Sequence, residues 1–461
     1  MAARPLARFS FHVVWILISA LRSQYGYHIA SLNSLASSLI CSRTAPARPV
    51  PFLGSSALPE LPSCLQLTDA AYGAITSAYT VGGLAASLAA GGAVDKWGKR
   101  GTAVRSAAVL TIGALAVSLG SSFWVLVLGR VLIGMSCGIA TVVVPLHLAS
   151  VAPPAIAGRI GILTQISINV GILAAQAFSI PLSKPMTGNW RIVQFISALL
   201  ALAQIGTSYF IPDDTKKGEV KLSREDEEER EPLASGRNSL EEDLAAQRHK
   251  RDDDAEAEDA GLSVGQVLRS SDPSIRKPLW TLVAIMLFQQ LSGINAVMYY
   301  STSILTAVNP TSAQSVSVFM AFVNLVTTFP AILLIDRAGR RPLLVSSLLL
   351  LSISTAVLGW AINRDHFVLA SAGIIAFVIS FAIGLGPVPF VLVGELPLDE
   401  AKSSTASIAV AVNWLANLGV GLVFLPLRDA LARGSGGTGT VFWIFTACTG
   451  VGVLAVGKLL R

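Results

Sequence analysis

The sequence predicts an all-α membrane protein with twelve transmembrane helices, arranged as two pseudo-symmetric halves of six. Three observations carry this prediction. Of the 461 residues, 52% are hydrophobic and only 13% are charged, and the mean hydropathy is +0.63. A water-soluble chain of this length needs more polar surface to cover its core. The apolar residues gather into runs long enough to cross a bilayer, and a charged loop pattern in the first half of the chain recurs in the second.

The runs lie near residues 9–35, 70–92, 102–121, 123–149, 156–182, 189–211, 279–304, 313–335, 342–362, 367–393, 403–427 and 440–460. The first lacks a small-residue cleavage site and reads as a helix, not a removed signal. Arg4 and Arg8 place the N-terminus inside. Lys96, Lys99 and Arg100 then fall inside, with Arg337, Arg340 and Arg341, and Lys402. An even number of spans returns Lys458 and Arg461 to that side, so both termini are expected to be cytoplasmic.

The pI of about 9.2 invites a nucleic-acid reading, which the distribution of charge removes. Nineteen of the 28 acidic residues lie between Asp213 and Asp272, and twelve of the 34 Lys and Arg lie within 212–278. The membrane part is left with 22 bases and nine acids, the bias expected of short cytoplasmic loops. Residues 212–278 carry little that can be buried and read as a mostly disordered cytoplasmic linker with room for short helices. The linker separates a first half, 1–211, from a second, 279–461.

The halves echo each other. GGAVDKWGKR (91–100) follows the second run, and DRAGRR (336–341) follows the eighth. Each sets an Asp, then a Gly, then a basic pair in a tight loop, as an internally duplicated transporter would. Asp95 with Lys99 and Arg100, and Asp336 with Arg340 and Arg341, are placed to hold helix ends together.

These loops resemble the signature of the major facilitator superfamily, and further stretches resemble its sugar porter branch, facilitative glucose transporters in particular. They are GRVLIGMSCG (129–138), QQLSGINAVMYYSTSI (289–304), GLGPVPF (384–390) and NWLAN (413–417), and the resemblance spans 9–460 apart from the linker. It implies the major facilitator fold and a carrier of hexoses such as glucose, working by alternating access. It also implies a sugar site formed by Gln165, Gln289, Gln290, Asn295, Asn324 and Asn413, with Phe390 and Trp414 against the apolar faces of the ring. Amides suit a sugar because they both donate and accept hydrogen bonds without charge. Inside apolar helices they need partners, since a buried polar group left unpaired costs about 1–3 kcal/mol. Helix-to-helix amide bonding is the competing reading of each one. The resemblance further implies Glu395 and Lys402 as partners of the loop charges in a gate.

The chain departs from the family pattern in places. His28 stands where proton-coupled sugar porters carry Asp, opposite Arg130, and no acid lies in the core of a span. Facilitative uniport is therefore expected, with His28 and Arg130 the pair to examine for coupling. Phe390 replaces the usual Trp. Ser150, Ala157 and Ala382 stand where the family carries Glu, Arg and, in many glucose facilitators, Glu. Arg22 falls inside the first run, which suggests an anionic substrate, a snorkelling side chain or a shifted helix boundary. A proton-coupled symporter, a carrier of polyols or anionic sugar derivatives, and a non-transporting sugar sensor stay open as alternatives.

No catalytic motif is found, so an enzyme is not expected, and the sequence calls for no cofactor, metal or nucleic acid. The expected partners are a small-molecule sugar and the lipid bilayer, in the plasma membrane or an internal, vacuolar-type membrane, with the chain monomeric. Cys41 and Cys64 share one outside loop, and the sequence leaves open whether they pair. Cys137 and Cys448 sit in apolar runs as packing residues.

Overall fold

The structure, a computed structural model, describes residues 21–33, 35–41, 46–52, 60–151, 157–208, 262–306, 312–435 and 437–460. Helix α1 (Leu21–Ala30) is the described part of the first run; the Arg22 side chain lies outside the described residues. A single turn, α2 (Ala36–Leu39), leads to a small antiparallel hairpin of β1 (Pro49–Pro51) and β2 (Glu60–Pro62), with Val50 opposite Leu61. A Cys41–Cys64 disulfide closes this cap, so the pair left open by the sequence is joined.

The rest of the first half is α3 (Asp69–Leu119), α4 (Phe123–Val151), α5 (Ala157–Leu182) and α6 (Trp190–Ser208). The second half begins with a short capped helix, α7 (Val264–Arg269), and continues with α8 (Pro273–Leu291), α9 (Ile294–Thr306), α10 (Ala313–Ala338) and α11 (Arg340–Asn363). It ends with α12 (Phe367–Ser380), a π turn (Phe381–Leu385), α13 (Val388–Glu395), α14 (Asp399–Ser435) and α15 (Val441–Leu459). Among the described residues ten stretches are long and apolar enough to cross a membrane, and Trp190–Gly206 is a shorter apolar helix. With α1 they correspond to the twelve runs of the sequence. The seventh starts at Pro273, where Asp272 accepts from the Ser274 amide at 2.8 Å and proline takes the first helical position.

The duplication is visible in the backbone. α3 is two spans bent at Gly98, with φ 67° and ψ 169°, and the turn between α10 and α11 is Gly339, with φ 82° and ψ 168°. Both glycines of the repeated loop take a left-handed conformation that a side chain would strain.

Apolar side chains also face outward, among them Trp124 at 74% exposure and Val368 at 80%. Helices apolar on both faces belong in lipid. Without a hydrophobic drive between them, they pack through small residues. At the α1–α5 crossing this is reciprocal: a Cβ on Gly26 would overlap the Ile168 carbonyl oxygen, and one on Gly171 would overlap that of Ser23.

The halves meet at both ends of the interface. At the hairpin end Asn33 Nδ2 donates to Ser301 Oγ at 2.9 Å, and Gln314 Nε2 to Ser183 Oγ at 3.3 Å. At the charged-loop end Gly161 of α5 lies against Val391 of α13, and Gly91 of α3 against Ser403 of α14. These contacts join the halves on both sides of the middle of the bundle.

Candidate functional site

Between these two sets of contacts lies a small cavity of about 40 Å³. Its polar wall is Gln165 of α5, Gln289 and Gln290 of α8, Asn295 of α9 and Asn324 of α10. Its apolar wall comes from Tyr25 and Ile29 of α1, Ile168 and Ile172 of α5, Ile294 and Met298 of α9, Phe381 of the π turn and Phe390 of α13. Six of the eight residues expected from the sequence thus share one cavity.

The amides of the second half form a directional chain. Gln289 Nε2 donates to the carbonyl oxygens of Leu385 and Gly386, at 2.8 and 3.3 Å. The Leu385 carbonyl is available because Pro389, four residues on, has no N–H to offer it. A backbone carbonyl only accepts, so the orientation of Gln289 is fixed, with Oε1 pointing back. That oxygen takes a hydrogen from Asn413 Nδ2 at 2.8 Å, and Asn413 Nδ2 also donates to Met286 O at 3.0 Å. Asn413 Oδ1 then accepts from Gln290 Nε2 at 3.0 Å, and Gln290 Oε1 from Asn295 Nδ2 at 2.6 Å. The chain ends at the cavity with Asn295, whose Nδ2 is spent on Gln290 and whose Oδ1 is the acceptor left at this end.

The bend that brings Asn295 back to Gln290 is Ser292–Gly293, between α8 and α9. Gly293 has φ 88°, and a Cβ there would lie 2.7 Å from the Phe445 ring. The tenth span is likewise interrupted: the Gly386 amide donates to Phe381 O at 2.8 Å, closing a π turn that presents Phe381 to the cavity.

A second amide cluster joins the halves. Gln165 Nε2 donates to Asn169 Oδ1 at 3.0 Å, and Asn324 Nδ2 to the same oxygen at 3.2 Å. Asn169 Nδ2 donates to Thr328 Oγ1 at 2.7 Å and to Asn324 O and Oδ1, each at 3.3 Å.

Asn413 and Trp414 stand behind the cavity wall instead of on it. The Trp414 ring fills the space over Gly83 and donates from Nε1 to Thr141 Oγ1 at 3.2 Å. Its edge meets Tyr25 and Tyr79, with centroids 5.4 and 5.5 Å away. Tyr299 OH donates to Asn417 Oδ1 at 2.8 Å, so at the 2.7 Å contact between Tyr79 and Tyr299 the Tyr79 hydroxyl is the donor.

Arg130 is fully buried, and among the described residues no Asp or Glu is buried with it. Carbonyl oxygens take the place of a carboxylate. Nε donates to Ile75 O at 3.3 Å, Nη2 to Thr76 O at 3.1 Å, and both terminal nitrogens to His28 O at 3.4 Å. The guanidinium also lies over the Tyr79 ring, 4.5 Å from its centroid. His28 belongs to the last turn of α1, whose end carbonyls lack helical partners and carry the negative end of the helix dipole. On its other side, His28 Nε2 lies 2.7 Å from Ser197 Oγ. The Ser197 hydrogen goes to Gln24 Oε1, so Nε2 is the protonated ring nitrogen. Nδ1 has no partner among the described residues.

At the charged-loop end Arg340 makes a two-pronged pair with Glu395, at 3.1 and 2.8 Å, and approaches Asp336 at 4.0 Å. Arg341 donates to Gly457 O at 3.0 Å, and Lys402 pairs with Asp399 one turn earlier on its own helix. Arg100 lies on α3, while the Asp95 and Lys99 side chains are outside the described residues. Sequence reasoning did not pick out Tyr25, Phe381 or Asn169. A Tyr next to Gln24, a Phe five residues before Gly386, and an Asn one turn after Gln165 were the available signals.

The family model described as sugar (and other) transporter matches residues 14–460. A probable metabolite transport protein of Saccharomyces cerevisiae is 31% identical over 437 residues, covering 92% of this chain and 87% of its own. Facilitated glucose transporter protein 1 of Caenorhabditis elegans is 30% identical, covering 82% and 75%. Among solved structures, the major facilitator proton:xylose symporter XylE, bound to 6-bromo-6-deoxy-D-glucose, superposes with a TM-score of 0.74 at 21% identity, covering 98% of this chain and 96% of its own. The chain belongs to the sugar (and other) transporter family. It is an integral, multi-pass membrane transporter with the twelve-helix major facilitator fold, a sugar porter and not an enzyme.

Proposed function

We propose that the protein carries hexoses of the glucose type by facilitative alternating access, with the central cavity as the sugar site. The observation that carries this reading is the amide chain from the Leu385 carbonyl to Asn295, which ends in an acceptor at the cavity. It has no formal charge, it bonds to hydroxyls as readily as to itself, and it faces an apolar wall suited to a pyranose ring. The similarity to a facilitated glucose transporter supports the same solute class. Gln165, Gln289, Gln290, Asn295, Asn324 and Phe390 contact the sugar in this reading, and Asn413 and Trp414 brace them from behind.

Uniport is supported by the absence of any buried carboxylate among the described residues. It is supported also by His28, which uses Nε2–H toward Ser197 and has no acceptor for a second hydrogen at Nδ1. The charges at Asp95, Lys99, Arg100, Asp336, Arg340, Arg341, Glu395 and Lys402 form the gate on the cytoplasmic side, where both termini lie. Residues 1–211 and 279–461 move as the two halves, with 212–278 as the linker. The protein works as a monomer in the lipid bilayer of the plasma membrane or a vacuolar-type membrane.

The test is saturable uptake of labelled glucose in cells lacking their own hexose carriers. Asn295→Ala is expected to weaken uptake at low sugar by about tenfold, the size of one lost hydrogen bond. Uptake unchanged by Asn295→Ala and by Gln290→Ala would refute the site.

A further inference from the structure

We infer that Asn169 is a positioning residue for sugar recognition: it holds Gln165 with its carbonyl oxygen turned to the cavity. The inference rests on the reading of the cavity as the sugar site. Asn169 is completely buried one helical turn after Gln165, on the α5 face that meets α10 of the other half. Its orientation is determined by groups that can only accept from it. The Asn324 carbonyl takes Nδ2 at 3.3 Å. Thr328 spends its own hydroxyl hydrogen on Asn324 O at 2.7 Å, so toward Asn169 its oxygen accepts, also at 2.7 Å. Asn169 Oδ1 is thereby aimed at Gln165 and draws Gln165 Nε2 to 3.0 Å.

Turning the Gln165 amide over would set two carbonyl oxygens against each other, so Gln165 is held with Oε1 away from Asn169. Gln165 lies on the cavity wall, and that oxygen is left to face the cavity. Asn295 Oδ1 is presented in the same way from the second half. The cavity therefore offers one fixed acceptor from each half, and a ligand that donates hydroxyl hydrogens to both spans the interface. Recognition by donation follows: a hydroxyl replaced by fluorine can accept but not donate, and is penalised where it faces Gln165.

The experiment measures KM and kcat for glucose, and for a panel of singly fluorinated deoxyglucoses, in the full-length protein. The wild type is compared with Asn169→Val, Gln165→Leu and the double variant. Asn169→Val is expected to raise the glucose KM about three- to tenfold with kcat little changed, and to reduce the penalty against at least one fluoro sugar. In the Gln165→Leu background Asn169→Val is expected to add far less to KM than it does alone, because Asn169 acts chiefly through Gln165, with Asn324 as its other partner. Multiplying effects, or a fall in kcat at constant KM, would overturn the inference. If Asn169→Val does not reach the membrane, Asn169→Ser gives the same comparison. A Gln165→Leu protein with unaltered glucose KM would refute the site reading itself, whereas an effect of Gln165→Leu without one of Asn169→Val would sink only the role of Asn169.

Discussion

Asn295 Nδ2 lies 2.6 Å from Gln290 Oε1, five residues back across a glycine bend, and this contact is the cavity end of an amide chain anchored on Leu385 O. Position along the chain sets the effect of mutation. At the open end, Asn295→Ala leaves Gln290 Oε1 beside a cavity that solvent or ligand can fill, so it should change sugar affinity and hardly change stability. In the buried middle, Asn413→Leu strips partners from Gln289, Gln290 and Met286 at once. It should lower stability by at least about 2 kcal/mol. Thermal unfolding in detergent beside uptake kinetics separates the two, and equal loss of stability in both variants would contradict the polarity of the chain.

Gly293 makes that contact possible. Gly293→Ala should destabilise by more than about 1 kcal/mol, through its positive φ and through the Phe445 ring against which the new methyl would sit. Adding Phe445→Leu should return the steric part of the loss and leave the backbone part. The melting midpoints of the single and double variants check this.

The Arg340–Glu395 pair fastens the end of α13 to the repeated loop, and α13 in turn packs on α5 through Val391 and Gly161. Both side chains are about one-third exposed, so the pair should be worth about 0.2–1 kcal/mol. Glu395→Gln should favour opening at this end by up to about fivefold, read as faster modification of a cysteine placed at Ser403 in a background lacking Cys448. Arg340→Glu combined with Glu395→Arg should restore the slow rate, and high salt should mimic Glu395→Gln.

Arg130 holds three backbone carbonyls from α1 and α3 without a carboxylate. Arg130→Leu leaves His28 O without a donor, while Ile75 O and Thr76 O keep their helical partners, and should cost about 1–3 kcal/mol. Arg130→Lys keeps the charge but not the planar fork, and should fall between. A thermal melt of Arg130→Leu close to the wild type would show that His28 O finds another partner.

Much of this was legible before any coordinates. Twelve apolar runs and the repeated Asp-Gly-basic loop carry the architecture, since lipid demands helices long enough to span it. Gln289, Gln290 and Asn295 stand out because the QQLSGIN stretch resembles the seventh helix of glucose transporters, and the cost of amides in apolar helices agrees with a role for them. What could not be read depends on depth of packing and on partners far away in the chain. Trp414 was expected against the sugar, yet the slot over Gly83 takes its ring, and how closely two helices cross is not written in either one alone. Asn169 does not stand out in the sequence, because the partner that gives it a role, Asn324, lies 155 residues away in the chain. The seventh run, 279–304, reads as one span in the sequence, and the structure breaks it at Ser292–Gly293 between α8 and α9.

The most direct measurement is time-resolved uptake of labelled glucose into proteoliposomes, with and without an imposed pH gradient, for the wild type and Asn295→Ala. The account predicts saturable entry that stops at equal concentrations, ignores the gradient and falls about tenfold at low sugar in Asn295→Ala. Accumulation that follows the proton gradient, or uptake indifferent to Asn295→Ala, would contradict it.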